Sequence, residues 1–161
     1  MFTTLRINLV SMYGKVVIPT DGSERAHIGV EEGLKVAKNL KIPVVAVYVI
    51  SHSSYAPSYM GYDMEDVDTG AYQVLRDSMK KQGENVLKKV RTEAEEMGVK
   101  IKTKMVEGTP YEEIIKLADK EDIIYISSQG RSGISSLLLG STTDRVIKHT
   151  DSTVAVVKPK E

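Results

Sequence analysis

Five short runs rich in Val and Ile alternate along this chain with four segments of helical periodicity, and that alternation limits the fold more than any other feature. The runs are Val16–Ile18, closed by Pro19, then Pro43–Ile50, Val99–Val106, Asp122–Ser127 and Thr153–Val157. Parallel strands cannot be joined by a tight hairpin and need a crossover of a dozen or more residues, usually a helix. A β-α-β-α-β-α-β-α-β order therefore predicts an α/β fold: an open, mostly parallel sheet with helices on both faces, in a single domain. Pro43–Ile50 is almost continuously apolar, as expected of a central strand covered on both sides. Val99–Val106 instead alternates apolar residues with Lys and Thr, as an edge strand does.

The intervening segments carry helix signals. From Ser23 to Leu40, the residues Ala26, Val30, Leu34 and Ala37 share one helical face, with Asp21 or Ser23 placed to cap it. From Ala71 to Met97, the residues Leu75, Met79, Val86, Val90, Ala94 and Met97 recur at helical spacing, and Gly98 provides the stop. Gly83 interrupts that helix at a cost of about 1 kcal/mol relative to Ala. Thr109-Pro110-Tyr111-Glu112 reads as a capping Thr, Pro in the first turn and Glu at the third position, with the helix continuing through Ile114 to Ala118. A last helix runs from about Ser141 to His149.

Two stretches fall outside this pattern. Residues 1–11 are expected to form a flexible extension ahead of a domain spanning 12–161. Ser51 to Gly70 is far longer than the ~4 to 6 residues of an ordinary connection. Its Tyr55, Tyr59, Met60 and Tyr62 suit a lid over the carboxyl ends of the strands, and a disordered loop is the other reading.

Composition excludes several function classes. Twenty-two basic and twenty-two acidic residues leave no net charge, so no broad electrostatic footprint points to nucleic acid or a membrane surface. The absence of cysteine removes disulfides, thiolate metal sites and cysteine nucleophiles, and fits a reducing, cytoplasmic setting. No apolar run reaches the ~20 residues of a membrane-spanning helix. His27, His52 and His149 are isolated in sequence, so neither a metal cluster nor a hydrolytic triad is indicated, and no catalytic residue is assigned. His27-Ile28-Gly29-Val30 matches three positions of the His-Ile-Gly-His signature of nucleotidyltransferases, but Val30 replaces the final His.

Two loops carry candidate chemistry. Ser127-Ser128-Gln129-Gly130-Arg131 and Gly140-Ser141-Thr142-Thr143-Asp144 flank a short insertion between the fourth strand and the last helix. Glycines let backbone N–H groups approach a phosphate, and the first turn of a helix offers unpaired donors and partial positive charge. Arg131 and the hydroxyls of Ser141, Thr142 and Thr143 add donors. The structural alternative is a capping box at Ser141–Asp144, with Asp144 competing for the helix's positive end. Pro19-Thr20-Asp21-Gly22-Ser23 follows the first strand, where Asp21 could accept ribose hydroxyls or reach a metal ion, or serve only as a helix cap. No Gly-Lys-Ser or Gly-Lys-Thr is present, so the pattern is not a Walker loop.

Ile18-Pro19-Thr20-Asp21-Gly22-Ser23-Glu24, the Val-Tyr-Val-Ile strand, Gly130 with Gly140-Ser141, and the closing Thr-Val-Ala-Val-Val-Lys together resemble the universal stress proteins over Met12 to Lys158. The resemblance implies a sheet of order 3-2-1-4-5, a homodimer through Thr153–Val157, and a role as an ATP- or AMP-binding stress regulator with an unnamed protein partner. It implies Pro19, Thr20, Val49 and Ile126 near the base and Asp21 at the ribose. Ser127, Gly130, Gly140, Ser141, Thr142 and Thr143 would meet the ribose and phosphates, with Mg or Mn as the accompanying ion. Nucleotide-binding members carry Gly-x2-Gly-x9-Gly-(Ser/Thr), and here Ser127 replaces the first Gly. The alternatives are a nucleotide-free interaction protein of the same fold and, third, a phosphotransferase or nucleotidyltransferase.

Overall fold

The computed structural model describes residues 12–51, 69–130 and 139–158. The extension expected at 1–11, nearly all of the connection between Ser51 and Gly70, and Arg131 lie outside them. Strand β1 (Val16–Pro19) leads into helix α1 (Glu24–Leu40), then β2 (Val44–Ser51), α2 (Thr69–Glu96) and β3 (Ile101–Gly108). The second half adds α3 (Pro110–Ile115), β4 (Ile123–Ser127), α4 (Ser141–His149) and β5 (Thr153–Val157). All pairings are parallel and the order is β3-β2-β1-β4-β5. β3 is therefore an edge, as its alternating pattern predicted, and β5 is the other.

The strand period of two divides the core into two layers. Val16, Ile18, Val44, Ala46, Tyr48 and Ile123 point to one face, where they pack with Val30 and Leu34 of α1 and Leu87 and Val90 of α2. Val17, Val47, Ile124 and Ile126 point to the other, against Ile114 of α3 and Val146 of α4. Burial on both faces explains why β1, β2 and β4 read as unbroken apolar runs.

Gly83 departs from its reading as a weak point in α2. A Cβ there would lie 2.7 Å from Cδ1 of Tyr48 and 2.8 Å from Sδ of Met105. The glycine is where α2 rests on β2 and β3, so the loss in helix propensity is offset by close contact with the sheet. Helix α3 also differs. Thr109 occupies the cap position, yet its side chain accepts no capping hydrogen bond, and the helix ends at Ile115 rather than Ala118. Pro110 does stand in its first turn.

At the amino ends of β1 and β4 the buried Asp122 carboxylate accepts from the Lys15 N–H at 3.1 Å and the Asp119 N–H at 2.7 Å, and it pairs with the Lys15 ammonium. Partial burial works to lower the Lys15 pKa, but the hydrogen bond and charge of Asp122, with Asp119 behind it, hold it above its ordinary value. These bonds clamp the two strands together at one end. The other end opens.

Candidate functional site

β1 stays in register with β2 from Val16↔Val44 to Pro19↔Val47, but with β4 only at Val16↔Ile123 and Val17↔Ile124. Proline contributes to this asymmetry. The N–H groups of Val16 and Thr20 donate to Pro43 and Val47, so the intervening odd-numbered residues face β4. Pro19, which has no N–H, falls on that side and cannot extend the ladder. β1 is also where the chain order reverses, since the first three strands run one way from it and the last two the other. Ligands of open α/β sheets sit at such a switch point, outside the carboxyl ends of the strands.

A cleft of about 430 Å³ lies there. Of the residues singled out in sequence, Pro19, Thr20, Asp21, Val49, Ile126, Ser127, Gly130, Gly140, Ser141, Thr142 and Thr143 all line it. Arg131 lies outside the described residues. Ser51, Met79, Pro110 and Gln129, none of them assigned to the site from sequence, also line it, and Ala26, Val47, Tyr48 and Ile114 complete the walls. Ser51 could have been found from the register of β2, which runs four residues past the end of β1. Met79 carried only the signal of an apolar helix face.

The loop after β1 is closed by its own side chains. Thr20 Oγ1 accepts from the Gly22 N–H at 3.2 Å, and Asp21 Oδ1 accepts from the Ser23 N–H at 2.9 Å. Ser23, rather than Asp21, caps α1, with Oγ accepting from the Ala26 N–H at 3.1 Å. Gly22 has φ +80, and a Cβ there would fall 2.5 Å from Val86 of α2, so the turn requires glycine twice over.

The approach to α4 is built otherwise. Its cap position is Gly140, not Ser141, and among the described residues no side chain makes a capping bond to its first turn. The N–H of Gly140 donates to the Ser128 carbonyl at 2.8 Å, which fixes the helix start against the end of β4. Thr143 Oγ1 is buried and donates to the Ser127 carbonyl at 2.9 Å, so this hydroxyl serves the fold. Asp144 remains in the first turn and pairs with Lys148 one turn along at 2.7 Å. The capping-box reading of Ser141–Asp144 is thus replaced by an open helix terminus facing the cleft.

Ser127 is buried, and its hydroxyl donates to the Gln129 carbonyl at 2.9 Å. Across the cleft, a Cβ on Gly130 would come within 2.8 Å of Asp21 Oδ2, so the two loops approach closely at that glycine. Gly140 is different: with φ −61 and ψ 149 it has a backbone any residue adopts, and a Cβ would meet nothing nearer than the Ser128 carbonyl at 3.5 Å. The described fold does not itself call for glycine at that position. Elsewhere, His27 lies 3.5 Å from Glu93 and 3.7 Å from Glu31 on the surface, and among the described residues no group of three or more metal-ligating side chains converges.

The sequence model of the universal stress protein family matches residues 12–158, nearly the whole chain. The chain belongs to the universal stress protein family. Universal stress protein MJ0531 of Methanocaldococcus jannaschii is 38% identical over 94% of this chain and 86% of its own. Universal stress protein MJ0577 of the same organism is 32% identical over 92% of this chain and 97% of its own. The solved structure of MJ0577 superposes with a TM-score of 0.74 at 33% identity, covering 93% of this chain and 99% of the other. At the level of fold alone, likeness extends to a universal stress protein solved with cAMP, with TM-score 0.62 at 22% identity, covering 92% and 98% of the two chains. It extends also to one from Archaeoglobus fulgidus solved with dAMP, with TM-score 0.57 at 18% identity, covering 91% and 99%. Among the described residues no helix of this universal stress protein is long and apolar enough to cross a membrane.

Proposed function

We propose that this universal stress protein binds ATP or AMP in the cleft between β1 and β4 and acts as a nucleotide-dependent regulator in the cytoplasm. The observation that carries the reading is the uncapped first turn of α4, reached through a glycine the described fold does not need, opposite a carboxylate at the end of β1. Backbone donors with the helix's positive end suit phosphates. Asp21 suits the ribose hydroxyls, and the apolar Pro19, Val49 and Ile126 suit the base. The volume of about 430 Å³ lies within the range of small-ligand sites, ~300 to 1,000 Å³. Two proteins of this fold were solved with adenine nucleotides, which agrees with that ligand class.

Ser127 in place of the family's first glycine favours the alternative, a nucleotide-free interaction protein. The internal bond of its hydroxyl to Gln129 speaks for retention of the site, because the side chain is accommodated within its own turn. A bound Mg or Mn ion would reach this chain through the nucleotide's phosphates, with Asp21 the nearest carboxylate by sequence assignment. Hydrolysis would be slow or partner-dependent, since no general base is assigned at the phosphate end. Pairing of two β5 edges, whose Val154, Ala155, Val156 and Val157 are only half-buried in the single chain, would form a homodimer whose shape or partner choice responds to nucleotide.

The test is mass spectrometry of small molecules released on denaturing the purified protein, followed by calorimetric titration. ATP or AMP in the released fraction, with affinity for ATP above that for adenosine, is expected. No released nucleotide and no heat of binding would leave the interaction-protein reading.

A further inference from the structure

A second hollow of about 420 Å³ adjoins the cleft and shares Ser51, Pro110, Ser141 and Thr142 with it. The two compartments are nearly equal in volume, and the open first turn of α4 stands at their common boundary. The second is walled by Tyr111 of α3 and by Arg145, which lies one turn further along α4 than Ser141. The guanidinium carbon lies 5.4 Å from the centre of the Tyr111 ring. The guanidinium lies over the ring, and the His149 ring stands 5.3 Å from it, so what the hollow meets is a planar cation backed by an aromatic ring, on which a nucleic-acid base can stack and a phosphate can be held.

Resting on the nucleotide reading above, we infer that the preferred ligand is a dinucleoside polyphosphate. One nucleoside occupies the cleft at Asp21 and the phosphates cross the first turn of α4. The second base lies against Tyr111 and Arg145. A mononucleotide fills one compartment and leaves the other to solvent. The placement explains why a hollow of nucleoside size, with an aromatic ring and a cation, begins where the phosphate donors end.

Calorimetric titration with diadenosine tetraphosphate, ATP and adenosine tetraphosphate tests this. Diadenosine tetraphosphate is expected to bind about tenfold or more tightly than either mononucleotide, because stacking one base contributes a factor of that order. Tyr111→Ala should remove most of that difference while leaving ATP affinity unchanged. Since Tyr111 also packs against the core, Arg145→Gln, at an exposed position, provides a second variant with the same expectation. Equal affinities for diadenosine tetraphosphate and ATP, or an advantage that survives in a folded variant, would overturn the inference and leave the mononucleotide reading intact. An advantage shared equally by adenosine tetraphosphate would assign the second hollow to phosphate alone and overturn it too. Failure of all three ligands to bind would overturn both readings.

Discussion

The two helices that start at the carboxyl edge of the sheet next to the switch point, α1 and α4, solve the same problem in opposite ways. Each leaves N–H donors at its first turn that have no partner within the helix. At α1 the chain supplies one partner, Ser23 accepting from Ala26, and ties down the loop just before the helix, where Asp21 accepts from Ser23 and Thr20 from Gly22. At α4 a glycine holds the cap position, and among the described residues no side chain makes a capping bond to the first turn. The glycines differ in the same sense. Gly22 is fixed by a positive φ and by Val86, whereas the described fold makes no demand on Gly140. The start of α1 is fixed by the chain's own side chains, and that of α4 borders the cleft.

Substitutions at the two ends should therefore separate stability from affinity. The largest effect expected is at α4. Gly140→Val, allowed by the local backbone, should weaken ATP about 100-fold, or ~2.7 kcal/mol, as one or two charge-assisted hydrogen bonds are lost. Adenosine affinity should change by less than about threefold, and the thermal midpoint by little. Equal weakening of ATP and adenosine in calorimetry would show that Gly140 serves the fold and not the phosphates. At α1 the effects should reverse in kind. Gly22→Ala should cost ~2 kcal/mol in urea unfolding, from a strained positive φ and contact with Val86. Ser23→Ala should cost about 1 kcal/mol with ATP affinity nearly unchanged, since only a cap is removed. A large loss of affinity on Ser23→Ala with stability intact would show that this helix start, too, serves the ligand.

The smallest effect is expected at the end of β4. Ser127→Gly removes the hydroxyl bonded to Gln129 and should lower stability by about 1 kcal/mol, from one hydrogen bond and added chain entropy. Affinity for ATP should be preserved or improved within about threefold. A clear loss of ATP binding would mean that the Ser127 hydroxyl reaches the nucleotide instead of its own loop.

Much of this was legible in sequence because it is local. Runs such as Val16–Ile18 and Thr153–Val157 announce strands by β-branching, and Ser23 and Gly98 mark helix ends by side-chain and backbone chemistry. The strand order came from the family resemblance, since alternation of strands and helices does not by itself choose neighbours. What escaped depends on contacts between distant segments. Gly83 looks like a flaw in α2 until Tyr48 and Met105 are seen beneath it. The Thr143 hydroxyl reads as a phosphate donor until the Ser127 carbonyl appears opposite it. Thr109 and Ser141 both satisfy the composition of a cap, yet neither side chain makes the bond, because cap geometry depends on how the preceding loop enters the helix.

Residue-resolved amide hydrogen exchange with and without saturating ATP reports on phosphate contact at the start of α4 itself. If phosphates seat on the open terminus, the N–H groups of Ser141, Thr142 and Thr143 should exchange at least about tenfold more slowly when ATP is present, in proportion to its occupancy. The N–H of Ala26, already held by Ser23, should respond far less. Unchanged exchange at Ser141 to Thr143 under ATP saturation would show that no phosphate sits on the start of α4.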